Sequence, residues 1–90
     1  MEVKFLKVDI GMAVKHGADV ALFYAYLKFV GRKIRKDEHG YFCFDANYVC
    51  RGLGWGRTKF KYVRTQAVRY HLIDYLPGSN QNEKPRYRII

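Results

Sequence analysis

The stretch Ala46-Asn-Tyr-Val-Cys-Arg-Gly-Leu-Gly-Trp-Gly-Arg-Thr-Lys-Phe-Lys-Tyr-Val-Arg-Thr-Gln-Ala-Val-Arg-Tyr-His-Leu-Ile73 decides how this chain is read. It holds six Lys or Arg (Arg51, Arg57, Lys59, Lys61, Arg64, Arg69) and no carboxylate. Its pattern predicts two short helices around a glycine-marked turn, Gly52-Leu53-Gly54-Trp55-Gly56. The first, Ala46 to about Arg51, turns Ala46, Val49 and Cys50 inward, and Leu53 closes the turn. The second, Arg57 to Leu72, carries five of the six positive charges. There Phe60, Val63, Ala67 and Tyr70 recur at helical spacing and predict a core face, opposite Thr58, Lys61, Tyr62, Thr65 and Arg69. Hydroxyls, cations and a phenol on one face can donate to phosphates and base edges. A base-rich, acid-free helix behind a tight turn suits insertion into a polyanion's groove.

On the N-terminal side, residues 1–8 alternate apolar (Val3, Phe5, Val8) with charged (Glu2, Lys4, Lys7) positions, as in a short strand or extended arm. Asp9 is predicted to cap a brief helix, Ile10 to His16, ended by Gly17 at a left-handed position. Asp19 is predicted to cap a longer helix, Val20 to about Ile34, with Val20, Phe23, Leu27 and Val30 as its core face and Tyr24 at its flank. Leu22, Ala25 and Phe29 lie roughly opposite that stripe, where a lone surface helix is usually polar. Two expectations follow for them: the N-terminal arm folds over them, or they form a homodimer interface.

The basic run Arg32, Lys33, Arg35 and Lys36 sits where that helix ends, a place the helix dipole favours for cations; a supplementary phosphate contact is the functional alternative. Asp37-Glu38-His39-Gly40 reads as a turn, Tyr41 to Phe44 as a short strand, and Asp45 as the cap of the next helix. After the basic helix, Leu72 to Leu76 is strand-like, with Ile73 and Tyr75 alternating against Asp74. Pro77 to Pro85 is a polar loop. Arg86 to Ile90 reads as a half-buried strand with Arg86 and Arg88 facing out, and Lys84 adds to the positive charge of this hairpin.

Composition sets the bounds. The chain has 90 residues and a net charge of +9, with a pI of about 9.8. A chain this short makes one domain and buries only ~60% of its unfolded surface. Apolar content of 49% and aromatic content of 17% argue against disorder. The positive balance draws it toward phosphate-rich partners. Cys43 and Cys50 are too few for a disulfide framework and lack the spacing of a zinc site. His16, His39 and His71 are scattered, and the eight carboxylates are dispersed as caps, turns and rim charges. Gly52-x-Gly54-x-Gly56 lacks the Lys-Ser/Thr ending of a phosphate-binding loop. The expectation is therefore no enzyme, no metal and no cofactor. With no signal peptide and no apolar run of ~20 residues, no membrane partner is expected. The expected location is the cytoplasm, associated with the nucleoid if the chain binds DNA.

The run Tyr41-Phe-Cys-Phe-Asp-Ala-Asn-Tyr-Val-Cys-Arg-Gly-Leu-Gly-Trp-Gly-Arg-Thr-Lys-Phe60, the Leu72-Ile73 exit and the closing Pro85-Arg-Tyr-Arg-Ile89 together resemble the winged helix-turn-helix superfamily. In that superfamily a strand leads into a support helix, a Leu-Gly turn, a recognition helix and a wing. The resemblance covers roughly residues 19–90. Lys7-Val-Asp-Ile10, ahead of Ala21-Leu22-Phe23, is similar to winged-helix domains of phage and plasmid replication or regulatory proteins.

The resemblance implies an α+β fold with three main helices, a short strand and a C-terminal β-hairpin wing. Residues 1–90 would form one domain, with 1–17 as an arm and short helix. Arg57 to Leu72 would be the recognition helix and Pro77 to Pro85 the wing. Double-stranded DNA is the implied partner, touched by Arg57, Thr58, Lys59, Lys61, Tyr62, Thr65, Arg69, Lys84 and Arg86. Leu22, Ala25 and Phe29 would join a homodimer. Two positions depart from the family pattern: Gly56 stands where a capping Ser or Thr is frequent, and His71 where a glycine is common. The expected role is transcription regulation or replication of a mobile element. Because the fold also serves protein–protein adaptors and RNA binders, an adaptor using the aromatic first-helix surface is the alternative.

Overall fold

Local signals set the ends of most helices. In a computed structural model, which describes residues 6–43, 46–78 and 84–90, the chain forms α1 (Ile10–His16), α2 (Ala18–Lys33), β1 (Phe42–Cys43), α3 (Ala46–Leu53), α4 (Arg57–Arg69), β2 (Ile73–Leu76) and β3 (Arg86–Ile89). Asp9 caps α1 as expected, its carboxylate accepting from the Met12 N–H at 3.0 Å. Gly17, at φ +99°, ends α1 and also opens α2. Asp19 is therefore not the cap of α2 but lies in its first turn. The expected cap Asp45, the strand residue Phe44, the start of the N-terminal arm and the tip of the 77–85 loop lie outside the described residues.

α2 is the centre of the fold. Val20, Phe23, Leu27 and Val30 are buried as the spacing predicts, and Ala21, Ala25 and Tyr26 join them. Phe23 meets Phe60 of α4 edge-on, ring centroids 5.6 Å apart, and lies 6.4 Å from the Trp55 ring. Val49, Phe42, Ile73 and Tyr87 complete one apolar cluster drawn from α2, α3, α4 and the three strands. α1 stands apart from it. It packs on α2 but buries none of its own residues.

The strands form one antiparallel sheet in the order β1-β3-β2. β3 is thus central, with Phe42 opposite Tyr87 on one side and Tyr75 opposite Tyr87 on the other. Asp74 and Arg88 face each other across β2 and β3, and Arg88 donates to Asp74 Oδ2 through Nε and Nη2. Among the described residues the architecture is α+β, with four helices and this small sheet.

Three expectations need correction. Gly52 belongs to α3, which runs on to Leu53, so the turn is confined to residues 54–56. A Cβ at Gly52 would lie 2.7 Å from the Tyr26 Oη, and this close approach explains the glycine better than a turn does. α4 ends at Arg69 rather than Leu72, because His71 adopts φ +60°. The exit remains hydrogen-bonded, with the Leu72 N–H donating to the Ala67 carbonyl at 3.0 Å. Tyr70 consequently leaves the helix and the core; it is exposed, with its ring 4.4 Å from that of His16. No described helix is long and apolar enough to cross a membrane.

Candidate nucleic-acid interface

α4 is positioned by Phe60, Val63 and Ala67, which are buried against α2 and the sheet. Helical geometry then fixes what the rest of the helix shows. Thr58, Lys61, Tyr62, Thr65 and Arg69 are all exposed, and Tyr62 keeps 64% of its surface. Gly56 caps the helix through its backbone, its carbonyl accepting from the Phe60 N–H at 3.0 Å, without a side-chain cap. The Thr65 hydroxyl donates to the Lys61 carbonyl at 2.8 Å, which leaves its oxygen lone pairs as acceptors toward solvent.

The other cations of α4 lie on its two flanks, with Lys61 shared between the exposed face and one flank. Arg57, Lys61 and Arg64 follow i, i+4, i+7 spacing and make one continuous stripe. Arg57 donates to Asn47 Oδ1 of α3 at 3.0 Å. Arg64 lies with its guanidinium carbon 4.1 Å from the centre of the Tyr75 ring and 5.6 Å from that of Phe60. It also hydrogen-bonds Tyr87, whose phenol pKa burial nevertheless pushes up. Facing this stripe is Lys84. Together Arg57, Lys61, Arg64 and Lys84 line a cavity of about 370 Å³, with Phe60 and Tyr87 also in its wall.

Two expected contact residues lie elsewhere. Lys59 pairs with Asp19 at 3.4 Å and sits 5.3 Å over the Trp55 ring, which ties it to α2 on the far flank of α4. Arg86 alternates with the inward-pointing Tyr87, so it turns away from α4. Its guanidinium lies 3.7 Å from the Asp37 carboxylate. That carboxylate accepts from the Tyr41 and His39 N–H groups, both at 2.9 Å. These bonds, that from Tyr41 foremost, hold its pKa below its ordinary value. The structure therefore groups Arg57, Thr58, Lys61, Tyr62, Thr65, Arg69 and Lys84, and separates Lys59 and Arg86 from them.

Arg64 was absent from the expected contacts, although its spacing from Arg57 and Lys61 was visible in the sequence. The signal was masked by its place between the core face and the outer face.

The apolar side of α2 is largely covered within the chain. Ala25 is buried, while Leu22 and Phe29 are half-buried against the core. Leu6 also packs on that core, and with Ala25 and Phe29 it lines a shallow depression rimmed by Lys7, Lys28 and Arg32. Leu6 thus covers part of this surface, the arm residues 1–5 lie outside the described residues, and Ala25 keeps little surface of its own for a partner. The basic run after α2 is partly absorbed by the fold: Lys36 Nζ donates to the Gly31 carbonyl at 2.8 Å, which satisfies a helix-end acceptor. Cys43 and Cys50 are free thiols. Among the described residues no group of three His, Cys, Asp or Glu side chains is placed to hold a metal ion.

The chain matches no protein-family model, no curated protein and no solved structure.

Proposed function

We propose that this chain is a double-stranded DNA-binding domain of the winged-helix type, with α4 as the helix that enters the major groove. One observation carries the reading: α4 presents an exposed face of Thr58, Lys61, Tyr62, Thr65 and Arg69 with no carboxylate on it. The helix is held rigidly from behind by Phe60, Val63 and Ala67. Flanking cations of such a helix suit phosphate oxygens, and its central polar residues suit base edges. The order support helix α3, short turn, α4 and a β2–β3 hairpin supports the winged-helix assignment. The role consistent with this reading is transcription regulation or replication of a mobile element, inside the cell. A homodimer through the surface of Leu22, Ala25 and Phe29 would set two copies of α4 on half-sites ~34 Å apart.

The test is fluorescence anisotropy with labelled duplexes over a series of salt concentrations. Duplex binding should weaken with salt, with a log–log slope of about −3 or steeper, as for three or more phosphate contacts. A chain that binds no duplex even at low salt would reject the proposal and leave the adaptor reading in its place.

A further inference from the structure

The cavity beside α4 holds more positive charge than one backbone phosphate would neutralise. Arg57, Lys61 and Arg64 project from one stripe of the helix, and Lys84 approaches from the segment leading into β3. The ion pairs formed among the described residues engage Glu38, Asp19, Asp37 and Asp74, and none of them involves these four cations. Among the described residues no carboxylate lines the cavity. Behind the charges the wall is apolar: Phe60 and Tyr87 are buried side chains, and Ala46 and Pro85 complete it. A volume of about 370 Å³ falls in the range of small-molecule sites and far exceeds one phosphate group.

We propose that this cavity binds a small organic phosphate carrying two or more negative charges, its phosphate held by Arg57, Lys61, Arg64 and Lys84 and its carbon skeleton against Pro85 and Phe60. Like charges gathered in one cavity repel each other, and a multiply charged anion relieves that repulsion where a single phosphodiester leaves most of it. Arg57 is pre-positioned by Asn47, and Arg64 by the Tyr75 and Phe60 rings and the Tyr87 phenol, so fewer side-chain motions are lost on binding. Lys61 belongs both to this cavity and to the exposed face of α4. If that face binds DNA, as proposed above, the small anion and the duplex compete for Lys61, and the cavity regulates DNA binding.

The experiment is a titration of the full chain followed by amide chemical shifts, with adenosine 5′-monophosphate, inorganic pyrophosphate and adenosine as probes. Adenosine 5′-monophosphate or pyrophosphate should saturably shift Lys61, Arg64, Lys84 and Tyr87, and adenosine should shift none of them. The exposed double variant Lys61→Ala/Lys84→Ala should weaken that binding at least about tenfold, while Lys28→Ala, on another face, should bind as the wild type does. Absence of shifts at these residues with both phosphate probes, or undiminished binding by the double variant, would overturn the proposal. A parallel arm with a duplex separates the two readings. Shifts at these residues with the duplex but with neither probe would assign the cavity to the DNA backbone and reject the small anion. Binding of the probes without any duplex binding would sustain the cavity site and reject the DNA reading.

Discussion

Two basic clusters of this molecule sit at opposite kinds of helix end. Arg32 and Lys33 lie in the last turn of α2, where the helix dipole is negative and cations stabilise the fold. Lys36 extends this arrangement by donating to the Gly31 carbonyl. Arg57 and Lys59 occupy the first turn of α4, which contains no acidic residue. There the dipole is positive and cations are disfavoured. Folding alone accounts for the first cluster. In the second, Lys59 is paired with Asp19, whereas Arg57 opposes the dipole with, among the described residues, only the amide oxygen of Asn47 as acceptor, an arrangement that fits the anionic partner proposed above.

The comparison depends on α4 being anchored, and the largest expected effect tests that. Phe60→Ala removes a buried ring packed edge-on against Phe23 and should destabilise the fold by roughly 3–5 kcal/mol in urea unfolding. A wild-type unfolding midpoint would mean that the faces of α4 are assigned wrongly. Next in size is the contrast between the exposed face of α4 and the basic end of α2. Lys61→Ala and Arg69→Ala should each weaken binding to specific and random duplexes alike and lower the salt slope by about one unit. Lys36→Ala, at the end of α2, should change duplex affinity by no more than about twofold. Equal losses at both places would erase the distinction between the two helices.

A smaller effect comes from the exit of α4. His71 holds φ +60°, a conformation that costs a side-chain-bearing residue about 1 kcal/mol or slightly more. His71→Gly should therefore raise stability by roughly 1 kcal/mol, offset in part by the greater freedom of glycine in the unfolded chain. A lowered melting temperature would show that the imidazole contributes contacts that outweigh the strain. The smallest effect concerns the turn after α2. Asp37 has a pKa lowered from its ordinary 3.8 by N–H donors and by Arg86, so its charge stabilises the fold above that pH. That contribution is lost as pH falls through the lowered value. Asp37→Asn should be less stable than the wild type near neutrality, and the gap should close in acid. A gap that stays constant with pH would show that the charge of Asp37 does not matter.

Elements governed by local chemistry were legible in the sequence. Asp9, Gly17 and the spacing of Val20, Phe23, Leu27 and Val30 located α1 and the buried face of α2, and Phe60, Val63 and Ala67 did the same for α4. Signals that depend on distant neighbours were not legible. Gly52 resembles a turn residue until the Tyr26 ring is placed against it. Lys59 looks like a contact cation until α2 brings Asp19 within 3.4 Å. Arg86 needed the turn at Asp37 for the same reason. The cavity beside α4 requires α3, α4 and residues 84–85 to meet, and no periodicity along the chain reports such a meeting. Tyr70 was misplaced because a helical period continues on paper past the point where His71 turns the backbone.

The position of β3 has a consequence in time. Of the three described strands it comes last in chain order, yet it alone touches both others. While the chain is being synthesised, Phe42–Cys43 and Ile73–Leu76 have no strand partner until residues 86–89 emerge. The helices can dock on one another earlier, since α2 and α4 need only Phe23, Phe60 and their neighbours. The β2–β3 hairpin is local, but pairing β1 with β3 joins Phe42 to Tyr87 across most of the domain, and such closure is slow because the ordering entropy is lost before the contacts reward it. Until then Phe42 and Tyr75 lack the residue that each of them pairs with, Tyr87.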